Sequence, residues 1–484
     1  MHVILHECES QKRKYTIMQK LRNYISRCTL RTRLFIAYFL VMGIGNSIFT
    51  RFAAGVHNVF LLPAMLILAA FAIRDEGLKR DVPMLLGCAG ITWAILAGLL
   101  NGRFFSTGGA IGYLSLMACW FFTLRLPRDT TAAQIDDEFT AIGLVYMACY
   151  LPFILVALYS LFSGKLIQTP FDAKGLGLSI EGFLKDRLRV LENQNICGRV
   201  MMMNILFSIY MLIRRKKRGI RIFSVIVLII NLIGITHVQS RGSTISLAIA
   251  IGVLAFRCVY LWVHKRGVRV VAGFAACAAA FFLVIGFTNV LLDADIAIAK
   301  KTAVVIDEEL MQQDTYAKQN GQFDVESTGR VLIWKTTLKY LKTHPKQLLL
   351  GLNSTATMPE IAMGEEYVTE MKHVHNVLLD CIVQLGLPYL LIVLAFLAYM
   401  VPKCWRVITQ KCRDGSCIFV ALLVGLLTDG MVEIMLFSRW EGYNTLFMLM
   451  CGYILHICKS MDREKKEISS NPETCGNQTG TADV

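Results

Sequence analysis

Apolar runs long enough to cross a bilayer recur along the chain, at roughly 34–50, 57–73, 82–100, 104–124, 139–163, 196–213, 220–237, 242–262, 268–292, 377–400, 416–437 and 443–458. The connections between them are mostly short and carry most of the charge. This pattern predicts an all-α polytopic bundle of about twelve transmembrane helices. It divides the chain into an N-terminal arm (1–33), nine spans (34–292), a large loop (293–376), three further spans (377–458) and a polar tail (459–484). The tail is too short and polar to form an output domain, which argues against a sensory or purely structural membrane protein, and its composition predicts disorder.

Composition agrees with the pattern. Hydrophobic residues make up 55 % of the 484 positions and charged residues 18 %, with a mean hydropathy of +0.52. Those values exclude a string of soluble domains. The net charge of +15 reflects topology, because the basic clusters abut alternate span ends: "QKRK", "RDEGLKR", "RLPR", "RRKKRGIR", "HKRGVR", "PKCWRVITQKCR" and "KSMDREKK". By the positive-inside rule they predict that both termini are cytoplasmic, and their position against spans disfavours nucleic acid as a partner. The polar N-terminal arm ahead of the first span predicts an anchor with no cleaved signal, with Met1 or Met18 as the start. The fifteen cysteines lie mostly inside spans or on the cytoplasmic side and are expected to be reduced thiols; Cys404, Cys412 and Cys417 fit no zinc spacing.

The outer face carries the candidate chemistry. Most outer connections are tight turns with one arginine each (Arg51, Arg103, Arg241, Arg439), whereas 164–195 and 293–376 are long enough to be functional. Within the larger loop, "STGRVLIWKTTLKYLKTHP" has a helix start signal and a terminating proline. Its spacing puts Val331, Trp334, Leu338 and Leu341 on one face and Lys335, Lys339, Lys342 and Lys346 on another, an amphipathic helix suited to the membrane interface or to an ordinary solvated surface. The glycines and proline of "GLNSTATMPEIAMGEEYVTEMK" predict a mobile flap leading into "HVHN", where two histidines open the next span.

The order "HVQSRGSTISLAIAIGVL", then "TGRVLIWKTTLKYLKTHPKQLLLGLN", then "HVHNVLLDCIVQLGLPYLL" resembles the O-antigen ligase and polysaccharide polymerase superfamily. That superfamily carries a serine-arginine-glycine opening a span, a glycine-arginine and a tryptophan in the large outer loop, and a histidine-asparagine pair opening the next span, with a glycine about ten residues on. "DRLRVLENQNICGRV" is a weaker match, and the resemblance is strongest over about 185–400.

The resemblance implies a GT-C-like bundle in the bacterial cytoplasmic (inner) membrane and an inverting, metal-independent glycosyltransferase without a cofactor. Its donor would be an undecaprenyl-pyrophosphate-linked glycan, its acceptor a hydroxyl on a glycan, lipid or wall component, with membrane lipids as its surroundings. Carried over by position, Arg241 and Arg330 would bind the donor pyrophosphate, His375 would act on the acceptor and Asn376 would orient the site. The chemistry suits these residues. Arginine forks stabilise charge developing on a pyrophosphate leaving group, and histidine, with an unperturbed pKa of about 6.5, can take the proton of an attacking hydroxyl. Each also has a plainer explanation: snorkelling at a span end for Arg241, a surface helix start for Arg330, an interfacial polar residue for His375.

A weaker set comprises Arg187, Arg189, Asn193 and Asn195, of which Arg189 and Asn195 are the candidates for glycan or pyrophosphate contact. His237 could support Arg241 and His373 is expected to be structural. An H-x-H metal site lacks a third ligand. Asp429 and Glu433, four apart in an apolar run, raise a rival: a proton relay in a secondary transporter or a flippase for lipid-linked oligosaccharide. No internal repeat accompanies them, which favours the enzyme. There these acids would hold Arg439 or another outer arginine in place, and Asp380 would be a further supporting group.

Overall fold

A computed structural model of the chain describes residues 28–48, 66, 81–102, 116–127, 129–163, 183–184, 187–188, 194–238, 240–302, 330–352, 374–410, 415–433, 436–437 and 442–470. Apart from a minimal hairpin, β1 (Phe183–Leu184) paired antiparallel with β2 (Arg187–Leu188), these residues form helices and their connections. In chain order the helices are α1 (Leu30–Ile48), α2 (Val82–Leu100), a short π-helix (Ala118–Thr123), α3 (Ala132–Ser163), α4 (Gln194–Arg214), α5 (Arg218–Val238), α6 (Arg241–Trp262), α7 (Arg266–Thr302), α8 (Arg330–Thr343), α9 (Pro345–Leu350), α10 (Val377–Thr409), α11 (Cys417–Gly430) and α12 (Gly442–Ser470).

Seven helices among the described residues are long and apolar enough to cross a membrane, and α11 is a shorter apolar helix. The chain is thus a polytopic helical membrane protein. Of the expected spans, 57–73 lies almost wholly outside the described residues, and 104–124 is described only from residue 116 onward.

Burial separates the centre of the bundle from its rim. In α4, 78 % of the apolar window is buried, through Met201, Met202, Met203, Phe207 and Tyr210, against 11 % in α7. The long apolar side chains of α7, Phe282 and Leu283 among them, face outward, as expected of a helix whose solvent is lipid. Small residues set the closest approaches. A Cβ on Gly198 of α4 would come within 2.8 Å of Ser243 Oγ on α6, and one on Gly242 of α6 within 2.7 Å of Val432 beyond α11. These glycines bring the starts of α4 and α6 and the end of α11 together.

Three expectations need correction. The polar segment 459–470 continues α12, so the tail is helical to Ser470, and α7 runs ten residues into the predicted loop, to Thr302. Both extensions add helical bonds one residue at a time to an existing helix, which costs less than starting a new one. The span predicted at 416–437 ends at Gly430; Met431–Glu433 form a turn. Asp429 and Glu433 therefore do not share a helix face.

The large loop returns onto the bundle through α8 and α9. Gly386 interrupts α10 with φ 82°, and a Cβ there would fall 1.9 Å from the Leu349 carbonyl oxygen at the end of α9. A Cβ on Gly351, with φ 69°, would fall 2.5 Å from the Gln384 carbonyl, and Leu352 N–H donates to Val383 O at 2.7 Å. Two backbones meet at this kink, which only glycine permits. From the other side, Trp93 Nε1 of α2 donates to the freed Leu385 carbonyl at 2.7 Å, and Asn101 Nδ2 to Gly351 O at 3.1 Å.

Candidate functional site

Polar residues from five segments converge where α4, α6 and α8 begin, α11 ends and α10 is entered. The hub is Glu433. Its Oε1 accepts hydrogen bonds from Asn195 Nδ2 at 2.6 Å, Arg330 Nη2 at 3.0 Å and His375 Nδ1 at 3.2 Å. Burial would push this carboxyl's pKa up, yet the His375 hydrogen bond and charge, with Arg199 and Arg330 behind them, hold it down at about 2. An ionised carboxylate can only accept, so the proton in the His375 contact sits on Nδ1 and Nε2 is left as the ring's basic nitrogen.

The backbone around His375 is pinned on both sides. Trp334 Nε1 of α8 donates to the Val374 carbonyl at 3.0 Å. Asn376 accepts the Leu378 and Leu379 N–H groups at 3.0 and 3.1 Å, capping α10, while its Nδ2 donates to Met431 O at 3.0 Å. Between these anchors His375 takes a left-handed φ of 48°, uncommon for a residue with a Cβ. Its side chain is 18 % exposed. Asn376, by contrast, is buried with its amide committed to the cap and the turn, an arrangement that positions its neighbour and leaves no group to act on substrate.

Behind the hub lies a buried ion pair. Arg199 Nε of α4 donates to Asp429 Oδ2 at 2.5 Å, with both side chains almost wholly enclosed, and its guanidinium lies 4.6 Å from the Tyr443 ring centroid. Ser243 Oγ donates to Asp429 Oδ1 at 3.3 Å and Ser240 Oγ to Asn195 Oδ1 at 3.0 Å. Ser240 also caps α6. The two acids thus have arginine partners: Arg199 for Asp429, and Arg330 for Glu433.

The remaining expected residues fall as follows. Arg241 is exposed in the first turn of α6, next to Gly242, which packs on Val432; its side chain therefore stands at the rim of the cluster. His237 is buried, its Nδ1 2.8 Å from the Ile233 carbonyl in its own helix, so it does not support Arg241 through that nitrogen. Asp380 accepts from Gln384 at 3.5 Å within α10. Arg51, Arg103, Arg189, Asn193, His373 and Arg439 lie outside the described residues.

The helix at 330–343 forms, but with a different buried face. Ile333, Thr337 and Leu341, spaced by four, are enclosed beside Trp334, while Val331 and Leu338 are 38 % and 52 % exposed next to exposed Lys335, Lys339, Lys342 and Lys346. Apolar character marks contact with protein and contact with lipid alike, so it could not identify the packed side.

Arg199 and Ser243 were not singled out in the sequence, and Ser240 entered only as the serine of the serine-arginine-glycine motif, although a signal for Arg199 existed. Arg199 stands four residues after Asn195 in a span, on one helix face, and an ionisable group inside a span is itself a pointer to function.

A multi-span helical membrane protein with an arginine–histidine–carboxylate cluster at one end of its bundle is the class that fold and site define. Residues 226–394 match the family model of the O-antigen ligases. The match spans Arg241, Arg330, His375 and Asn376 but not Asn195, Arg199, Asp429 or Glu433. No curated protein matches the chain.

Proposed function

We propose that this protein is a glycosyltransferase that takes a glycan from undecaprenyl pyrophosphate on the outer face of the bacterial inner membrane and passes it to an acceptor hydroxyl. It serves cell-surface polysaccharide synthesis as a ligase or polymerase. On this reading it is a GT-C-like bundle of about twelve spans with both termini cytoplasmic. The domain division is that of the sequence as amended by α7 and α12, with the large loop returning over the outer end through α8 and α9.

The observation that carries the proposal is the Glu433–His375–Arg330 cluster. The acceptor O–H gives its proton to His375 Nε2 as its oxygen attacks the anomeric carbon, and the sugar–phosphate C–O bond breaks on the opposite face. That displacement inverts the anomeric centre. The bonding electrons leave with the pyrophosphate, whose charge Arg241 and the remaining N–H groups of Arg330 stabilise. Glu433 holds the imidazole in the required tautomer and balances the imidazolium that forms, the part an acid plays behind any histidine base. Asn376 positions the turn, and Asn195, hydrogen-bonded to Glu433, aligns the carboxylate. Arg189 is a further candidate for glycan contact. These side chains suffice for the transfer without a metal.

The transporter alternative has less support. It needs Glu433 to load and release a proton, and the charges of His375 and Arg330 beside it hold that carboxyl's pKa at about 2, in its charged form.

The test is reconstitution with an undecaprenyl-pyrophosphate-linked oligosaccharide and acceptor material, following release of undecaprenyl pyrophosphate. Release that His375→Ala, Arg241→Ala and Arg330→Ala abolish in folded protein supports the enzyme. Transbilayer movement of intact donor, independent of His375 but dependent on Asp429 or Glu433, overturns it.

A further inference from the structure

At the end of the bundle opposite His375 a cavity of about 820 Å³ opens between the start of α2, the segment after the π-helix and the C-terminal half of α12. The two ends are well separated: α2 alone, from Asp81 at the cavity to Asn101 beside the large loop, spans about 30 Å at the helical rise.

The cavity walls are held by specific contacts. Arg31 Nη1 and Nη2 donate to the carbonyls of Phe122, Thr123 and Arg125, and its Nε to Glu138, which straps the chain after the π-helix in one path. Gly452 lets α12 approach that strap: a Cβ would lie 2.6 Å from Leu124 O. His456 Nε2 donates to Thr130 O at 2.8 Å, and Lys459 pairs with Asp81 at 3.3 Å, tying α12 to both neighbouring walls.

Two donors on this lining lack acceptors. Trp120 is 2 % exposed, and its indole N–H, buried in the wall, has no partner; Arg125 Nη1 is likewise enclosed without one. Buried donors are almost always satisfied, so such a pair points to an acceptor supplied by a ligand. Of the three lining acids, Asp81 is matched by Lys459, Asp462 by Arg406 at 2.7 Å, and Asp129 is exposed and pairs with neither donor. An anionic oxygen is what a guanidinium and an indole N–H together select. Beside them the lining includes the apolar Pro83, Met84, Leu126 and Leu455, and Val82 and Leu85 at the start of α2 are exposed.

We propose that this cavity is a phospholipid site, with the phosphate held by Arg125 and Trp120 and the acyl chains leaving along Met84, Leu126 and the exposed face of α2. A soluble phosphate would use the donors but leave the apolar half of the lining empty; a phospholipid satisfies both. The lining residues all lie outside 226–394 and none belongs to the Glu433–His375–Arg330 cluster.

The test is native mass spectrometry of the purified, delipidated full-length protein titrated with dioleoylphosphatidylglycerol, with inorganic phosphate as the second arm. Wild type should retain one tightly held lipid. Arg125→Gln should weaken that binding by about tenfold, the effect of losing one charge-assisted contact. Trp120→Phe, which keeps the ring against Phe396, should weaken it by roughly threefold, as for one neutral hydrogen bond. Met84→Trp fills the cavity and leaves both donors intact, so it should also release the lipid, and it covers the case in which Arg125→Gln does not fold. Equal lipid retention in folded wild type and variants overturns the site. Binding of inorganic phosphate that depends on Arg125 while the lipid does not compete overturns the lipid as its occupant.

Discussion

His375 Nδ1 stands 3.2 Å from a carboxylate oxygen of Glu433, 58 residues later in the chain and on the far side of two membrane helices. The same oxygen receives Arg330 from the large loop. One acid therefore fixes the tautomer of the proposed base and ties to it an arginine proposed for the leaving group.

Glu433→Gln keeps the volume but removes the charge that both partners use. The expected outcome is a fall in kcat of roughly 100- to 10,000-fold, the contribution of general acid–base catalysis, with a much smaller change in KM for the lipid-linked donor. Glu433→Asp, which keeps the charge one methylene further back, should recover part of the loss. Steady-state release of undecaprenyl pyrophosphate measures both, and a glutamine variant with wild-type kcat would remove Glu433 from the mechanism.

The Arg199–Asp429 pair is expected to act on stability. Replacing one partner strands a charge inside the bundle, so Arg199→Met or Asp429→Leu should each cost about 3–5 kcal/mol. The double variant should recover much of that cost, since two apolar residues of similar volume need no solvation. Thermal unfolding in detergent of the four proteins forms the cycle. Single variants that melt with the wild type would show that the pair carries no stability.

Much of this architecture was legible because a membrane imposes length and polarity on every span. The helices at 82–100, 196–213 and 242–262 formed within a residue or two of the predicted bounds; His375 and Asn195 stood out as polar residues at the edges of apolar runs, and Arg330 as the glycine-arginine of the large loop. What stayed hidden was pairing. Arg199 meets Asp429 across 230 residues, and no local pattern encodes such a contact. The packed face of α8 was hidden for a different reason: Leu338 is as apolar as Leu341, and only the fold decides which of them meets protein.

Asn376 separates positioning from chemistry. Asn376→Ala removes the cap of α10, worth about 1 kcal/mol, and the bond to the Met431 carbonyl. The expected result is a modest loss of stability with a fall in kcat that is smaller than that of His375→Ala. Activity assays on matched, folded preparations decide this. Loss as complete as that of His375→Ala would place Asn376 in contact with substrate.

The contact between Leu349 and Gly386 sets how the large loop sits on the bundle. Any side chain at Gly386 must displace the Leu349 carbonyl and hold a positive φ that only glycine adopts without strain. Gly386→Ala should cost more than about 1 kcal/mol, and the cost should fall on loop docking before it falls on the bundle. Limited proteolysis is expected to cut within 293–376 several times faster than in the wild type while the spans remain protected, and transfer should fall with it, because Arg330 and Trp334 reach Glu433 and Val374 only when α8 is docked. Unchanged cleavage alongside unchanged transfer would mean that the kink tolerates a side chain and that the loop is held elsewhere.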